Sequence, residues 1–209
     1  MEHWDAIAAE RTALASDLEG LTPEQWETQS LCGEWSVREV LGHLVYVHKM
    51  SLPKFAIEIA KARGSFDRAN SRLSVREARR PTADLLADLR ASATSHFTPP
   101  GFGSEAPLTD VLIHGRDIRL PLGLAEHRAV EPWRVALDLL VSPKGSRAFA
   151  PKGRPSVTLA ATDLDWQHGE GPEVTGEAAD LALAVSGRTV RIDALDGPGA
   201  GAIAEWLDA

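Results

Sequence analysis

Four side chains in this sequence are of types that hold metals or move protons and are placed where they could act together. In LTDVLIHGRDIRL, residues 108–120, Asp110, His114 and Asp117 recur four and three positions apart. That spacing puts them on one face of a helix. Val111, Leu112, Ile113 and Ile118 fill the positions around them, and a helix apolar on most sides is usually buried. Burying carboxylates and an imidazole is costly unless they are paired, hydrogen-bonded or bound to a metal. A divalent ion held by Asp110 and His114, with His43 from far upstream as third ligand, meets that requirement. Imidazole nitrogen and carboxylate oxygen suit zinc, nickel, iron or manganese. Three protein ligands leave an open position. Two neutral histidines and one carboxylate also leave net positive charge on a divalent ion, so the open position attracts hydroxide, a carboxylate or a thiolate.

Each residue also has a plainer reading. Asp110 stands near a helix start, where an acid is favoured by capping and by the helix dipole. His114 also fits a core histidine bonded to that acid. His43 lies at the edge of an apolar stripe with Val40 and Val47, where a hydrogen-bonded helix histidine is equally at home. His48 is about 140° round the helix from His43 and cannot face the same ion. Asp117 competes with Asp110 as the carboxylate ligand. The role expected of it is to orient a ligand or neighbouring backbone.

Helices must position these groups. Residues 3–19 have helical apolar spacing, with Gly20 as a stop. Thr22 and Pro23 start a short turn. Ser36 and Glu39 form a capping box that opens the helix carrying His43. That helix is expected to run to about residue 62, kinked or broken near Pro53. Residues 63–80 are polar and rich in arginine, compatible with a loose loop or an exposed helix. Pro81 and Thr82 open a helix with Leu85, Leu86 and Leu89 on one face. FTPPGFGSEAP, residues 97–107, reads as a loop. The Asp110–His114 helix ends by Pro121, and Pro132 starts another.

After Ser142 the composition changes. PKGSRAFAPKGRP reads as a linker. Residues 156–161 alternate as a strand, Trp166–His168 as its return, and GEAADLALAVSG as a helix. VRIDAL reads as a strand and GAIAEWLDA as a closing helix. The expected division is a helical domain over 1–142 and a small α+β domain over 143–209.

Of 209 residues, 44% are hydrophobic and 25% charged, ordinary for a globular protein. The net charge of −8 argues against nucleic acid as a partner. No run approaches the ~20 apolar residues that span a bilayer, so no membrane partner is expected. The single cysteine, Cys32, rules out an internal disulfide and reads as a small core residue rather than a nucleophile. The expected location is the cytoplasm.

CGEWSVREVLGHL followed by TDVLIHGRDIRLPLGL resembles the mycothiol-dependent maleylpyruvate isomerase family of the DinB-like metal-binding superfamily. In that family a tryptophan followed by S/T-V-R/K-D/E opens a helix whose histidine binds metal. The motif maps onto Trp35, Ser36, Val37, Arg38, Glu39 and His43. A later helix carries an acid, a histidine four residues on and a further aspartate, here Asp110, His114 and Asp117. The family's acid is typically glutamate, so Asp110 is a departure that draws the ion towards the helix or leaves room for a water. GEAADLALAVSGR and the terminal AIAEWL resemble the family's C-terminal domain, and Arg188 matches an arginine lying over the active cavity. Arg188 equally fits a helix C-cap.

The resemblance implies a mainly α fold: a DinB-like up-down four-helix bundle followed by a small α+β sterol-carrier-protein-like domain. It implies a divalent metal, zinc first, held by His43, Asp110 and His114, with mycothiol as cofactor and Arg188 on a substrate carboxylate or the thiol. The activity implied is isomerisation or thiol transfer on a small electrophile, in a monomer or homodimer. A non-catalytic metal- or ligand-binding module on the same scaffold is the other reading, and a carrier of apolar ligands a third.

Overall fold

The computed structural model describes residues 2–49, 51–125 and 129–209. It is mainly helical, with one small sheet. Helix α1 spans Trp4–Asp17, α2 Pro23–Trp26, α3 Val37–Tyr46, α4 Leu52–Lys61, α5 Phe66–Ala78, α6 Thr82–Ala91 and α7 Glu105–Leu122. Then follow α8 over Glu131–Val141, α9 over Pro143–Phe149, α10 over Ala178–Val185 and α11 over Ala200–Asp208. Strands β1 (Thr158–Ala161), β2 (Gln167–His168) and β3 (Glu173–Gly176) lie in the order β2-β1-β3. β1 is antiparallel to β2 and parallel to β3.

Contacts divide the chain into two compact units. One comprises residues 3–99 and 114–127; the other comprises 100–113 and 128–209. The division runs through α7, which is itself continuous.

In the first unit, Ser36 accepts from the Glu39 amide and Glu39 returns to the Ser36 amide, so the capping box forms as its sequence reads. The helix it opens stops at Tyr46, short of the expected residue 62. Pro53 does not kink it. That proline sits in the first turn of the separate α4, after Ser51 as N-cap, where its missing N–H leaves no helical bond unmade. The arginine-rich segment is α5, with Ser65 accepting from the Arg68 amide as its N-cap.

α3 and α5 pack closely, and Gly42 is the reason they can. A Cβ there would lie 2.5 Å from the Ser74 carbonyl oxygen and 2.9 Å from the Ala78 nitrogen. Arg38 then closes the end of α5, its Nη2 donating to the Arg80 carbonyl at 2.7 Å. The core of this unit gathers Leu14 and Leu18 of α1, Val40, Leu41 and Leu44 of α3, Leu85 and Leu89 of α6, and Ile118 of α7. Arg119 of α7 is buried and bonds Asp17 of α1 through Nε at 2.7 Å.

α7 ends in a Schellman turn. Gly123 has φ +63°, its amide donates to the Leu120 carbonyl, and the Leu124 amide donates to that of Arg119. Pro121, where the sequence reading places the stop, lies in the helix's last turn, and the helix runs one residue further to Leu122.

In the second unit Trp133, Leu137 and Leu140 of α8, Leu159 of β1, Val174 of β3 and Leu181 of α10 are buried. Three expectations for this part change. Residues 143–149 form α9, capped by Ser142 accepting from the Gly145 amide, where a linker is expected. VRIDAL is not a strand: it holds a 3-10 turn over Ile192–Ala194, with Val190 exposed and Ile192 half-buried, so its alternation does not make one buried and one exposed face. β3, which the sequence reading passes over, pairs with β1 instead.

Two tests follow from the packing of α3, α5 and α6. Gly42→Ala forces α3 from the α5 backbone and is expected to cost about 1–3 kcal/mol in urea unfolding. Asp88 of α6 pairs with Lys49 and with Arg80, the latter at 2.6 Å. Burial pushes its carboxyl up, but these two cations outweigh burial and hold it below its ordinary 3.8. Its contribution is therefore present above that value and lost as pH falls through the lower folded-state value. Asp88→Asn is expected to lose up to about 1 kcal/mol at pH 7, with the gap to wild type closing as unfolding is measured at progressively lower pH below 3.8.

Candidate metal centre

α3 carries His43 on its buried side, with Trp35 at the entry to the helix and Tyr46 one turn on. The ring of His43 lies 5.5 Å from that of Trp35 and 5.6 Å from that of Tyr46. The close approach of α5 brings Asn70 to it. His43 Nδ1 lies 3.1 Å from Asn70 Oδ1, and the Tyr46 hydroxyl donates to the same oxygen. An amide oxygen only accepts, so Nδ1 carries the proton and Nε2 is the nitrogen with the lone pair.

α7 is buried on nearly all sides from Ala106 to Arg119, as its apolar composition requires. Within it Asp117 is fully buried, and its Oδ2 lies 2.8 Å from His114 Nδ1. A carboxylate accepts that proton, so His114 too has its basic nitrogen at Nε2. The expected orienting role of Asp117 thus has a direct counterpart. The Asp117 carbonyl accepts from the Leu31 amide at 3.1 Å, which fastens the loop before α3 to this turn of α7.

The two imidazoles meet. The rings of His43 and His114 lie 4.9 Å apart, inclined at 70°. Asp110 is one turn before His114 on the same helix. One ligand atom from each of His43, Asp110 and His114 can be chosen so that all lie within 4.8 Å of one another. Cys32, His114 and Asp117 form a second such group, but there the Asp117 carboxylate is already engaged by His114 Nδ1. Ligands about 2 Å from one ion lie at most about 4 Å apart, close to the spacing of the first group. His48 turns away, its ring against Phe97.

Arg188 follows α10, whose end is a second Schellman turn at Gly187, and its Nη1 donates to the Ser186 carbonyl at 2.9 Å. That bond is the C-cap role the sequence allows. Sequence reasoning missed Asn70 and Tyr46. Tyr46 was legible as the position one turn beyond His43; Asn70, inside an arginine-rich tract, gave no local sign.

Residues 7–98 match the family described as the mycothiol maleylpyruvate isomerase N-terminal domain. No curated protein matches the chain. Among solved structures, a histidine-to-alanine mutant of the mycothiol-dependent maleylpyruvate isomerase is similar with a TM-score of 0.53 at 16% identity, over 95% of this chain and 92% of that one. At that identity the likeness concerns the fold, and it extends well past the segment matched by family. The segment matched by the family, residues 7–98, includes His43 and Asn70 and makes up less than half of the chain.

Proposed function

We propose that this protein is a divalent-metal, mycothiol-dependent enzyme of the maleylpyruvate isomerase type, acting on a small electrophile as an isomerase or thiol transferase. The observation that carries this reading is the convergence of His43, Asp110 and His114 from two helices. The fit is chemical as well as spatial: two imidazoles and a carboxylate are a donor set for zinc first, and for nickel, iron or manganese. On this reading residues 1–142 are a DinB-like four-helix bundle, residues 143–209 a sterol-carrier-protein-like α+β domain, and the protein works in the cytoplasm as a monomer or homodimer.

The chain's own residues have defined parts. Asn70 and Asp117 hold the two imidazoles by Nδ1, which would leave Nε2 of each to the ion. Asp110 supplies the single negative charge of the ligand set and leaves the centre cationic. A bound divalent ion supplies one thing the side chains lack, a lowering of thiol pKa that makes the reactive thiolate available near neutral pH. Trp35 and Tyr46 flank His43 with aromatic surface, which limits water beside it. Arg188 is assigned the substrate carboxylate or the thiol's polar end, for which a planar guanidinium is well shaped.

Metal analysis tests the centre. The purified protein is expected to hold about one divalent ion per chain and His114→Ala little; equal content in both ends the three-ligand reading. Asn70→Ala is expected to weaken metal binding about 10–100-fold, while Asn70→Asp, which keeps an acceptor for the His43 proton, retains most of it. Mycothiol is expected to raise the melting temperature of the metal-loaded protein, because a ligand bound only by the native state stabilises it. A metal-loaded protein indifferent to the thiol would be a binding module without turnover.

A further inference from the structure

α5 turns Asn70 towards the centre just described, but its arginine side and the helix before it have no part there. α4 turns its one carboxylate inward: Glu58 is buried and is held by Lys61 at 2.9 Å and Arg76 of α5 at 3.7 Å. Those cations hold its carboxyl below the ordinary range, the Lys61 hydrogen bond most of all. The outward side of α4 carries Pro53, Ala56, Ile57 and Ala60, all exposed and all uncharged, with Lys54 and Lys61 at its margins. Ile57 is 55% exposed and Phe66, at the start of α5, 57%. They are the two most exposed of the large apolar side chains among the described residues.

α5 adds charge. Arg68, Arg72, Arg76 and Arg79 are exposed and follow at spacings of four, four and three, which makes one stripe on the side opposite the buried Leu73 and Ser74. Like charges at these spacings repel. Between Lys54 and Arg80 there are eight Lys or Arg against three Asp or Glu, in a chain with 22 against 30.

We propose that the α4–α5 hairpin docks on an anionic lipid surface, with the outward face of α4 entering the headgroup boundary and the lysines and arginines meeting lipid phosphates. An anionic bilayer offers negative charge and apolar depth at the same place, the pairing this hairpin presents. A second copy of this chain does not fit, because a symmetric contact through this face would set arginine stripe against arginine stripe. Nucleic acid has no use for Ile57. The sequence expectation of no membrane partner rests on the lack of a spanning run. No helix among the described residues is long and apolar enough to cross a membrane, but lying on a surface needs no such helix.

Co-sedimentation of the full chain with vesicles tests this. Phosphatidylcholine vesicles with a quarter phosphatidylglycerol are compared with phosphatidylcholine alone, at low and high salt. Binding is expected on the anionic vesicles at least about tenfold above the neutral ones, and weaker in salt. Ile57→Glu and the double variant Arg68→Gln/Arg72→Gln each reduce it about tenfold or more. Both alter exposed side chains and leave the melting temperature and metal content as in wild type. Absence of binding to the anionic vesicles overturns the proposal, as does binding that Ile57→Glu leaves intact. Binding of soluble polyglutamate without binding of vesicles assigns the face to an acidic polypeptide and overturns it equally.

Discussion

An imidazole can aim a nitrogen at a fixed point only if its other nitrogen is held. In this protein both rings are held: His43 by Asn70 and His114 by Asp117, each through Nδ1. Two side chains that would otherwise sample several rotamers and two tautomers are reduced to one arrangement each before any ligand arrives. The bond from Asn70 depends in turn on backbone spacing. Gly42, the residue before His43, lets the backbone of α5 come within Cβ contact of α3. The missing side chain at one position therefore sets the partner of the next.

The other half of the arrangement depends on α7, a single helix from Glu105 to Leu122. Asp110 and His114 are one turn apart on it, so their mutual position is set by helix geometry. Pro107 and Pro121 fall in its first and last turns, outside the span from Asp110 to Asp117. Gly115 has a different part: a Cβ there would meet Arg119 Nη1 at 2.7 Å. Its absence lets the Arg119 side chain lie back along the helix and reach Asp17 and Glu10 of α1. That buried network fixes α7 against α1, and breaking one member would leave charge buried without compensation.

What could be read beforehand was what local chemistry specifies. The Ser36–Glu39 box, the Thr22 and Pro132 starts and the one-faced spacing of Asp110, His114 and Asp117 all involve residues within a turn or two of one another. What could not be read depends on partners distant in sequence. Asn70 next to His43 is a product of helix packing. β3 exists because β1 offers it a parallel neighbour, whereas VRIDAL, with better strand composition, finds no neighbour along its length. α4 shows a further limit. Periodicity reveals that a helix has two unlike faces but not which of them turns inward. Only the pairing of Glu58 with Lys61 and Arg76 shows that here the side with the carboxylate is the inner one.

The acid at position 110 bears on how such a centre can vary while its scaffold stays the same. In the family that this chain resembles, the ligand four residues before the second histidine is typically glutamate; here it is one methylene shorter. Both imidazoles are fixed by Asn70 and Asp117, so they cannot follow a displaced ion far. On the proposed reading, in which Asp110 is the carboxylate ligand, the shorter side chain would be matched by an ion nearer α7 or by a water. In either case the open side, where a thiol or substrate would bind, changes in depth without any change in the ligands' order along the chain. On that reading a substitution of this kind would alter affinity and preferred ligand at a half-buried position, without a change in the order of the ligands along the chain.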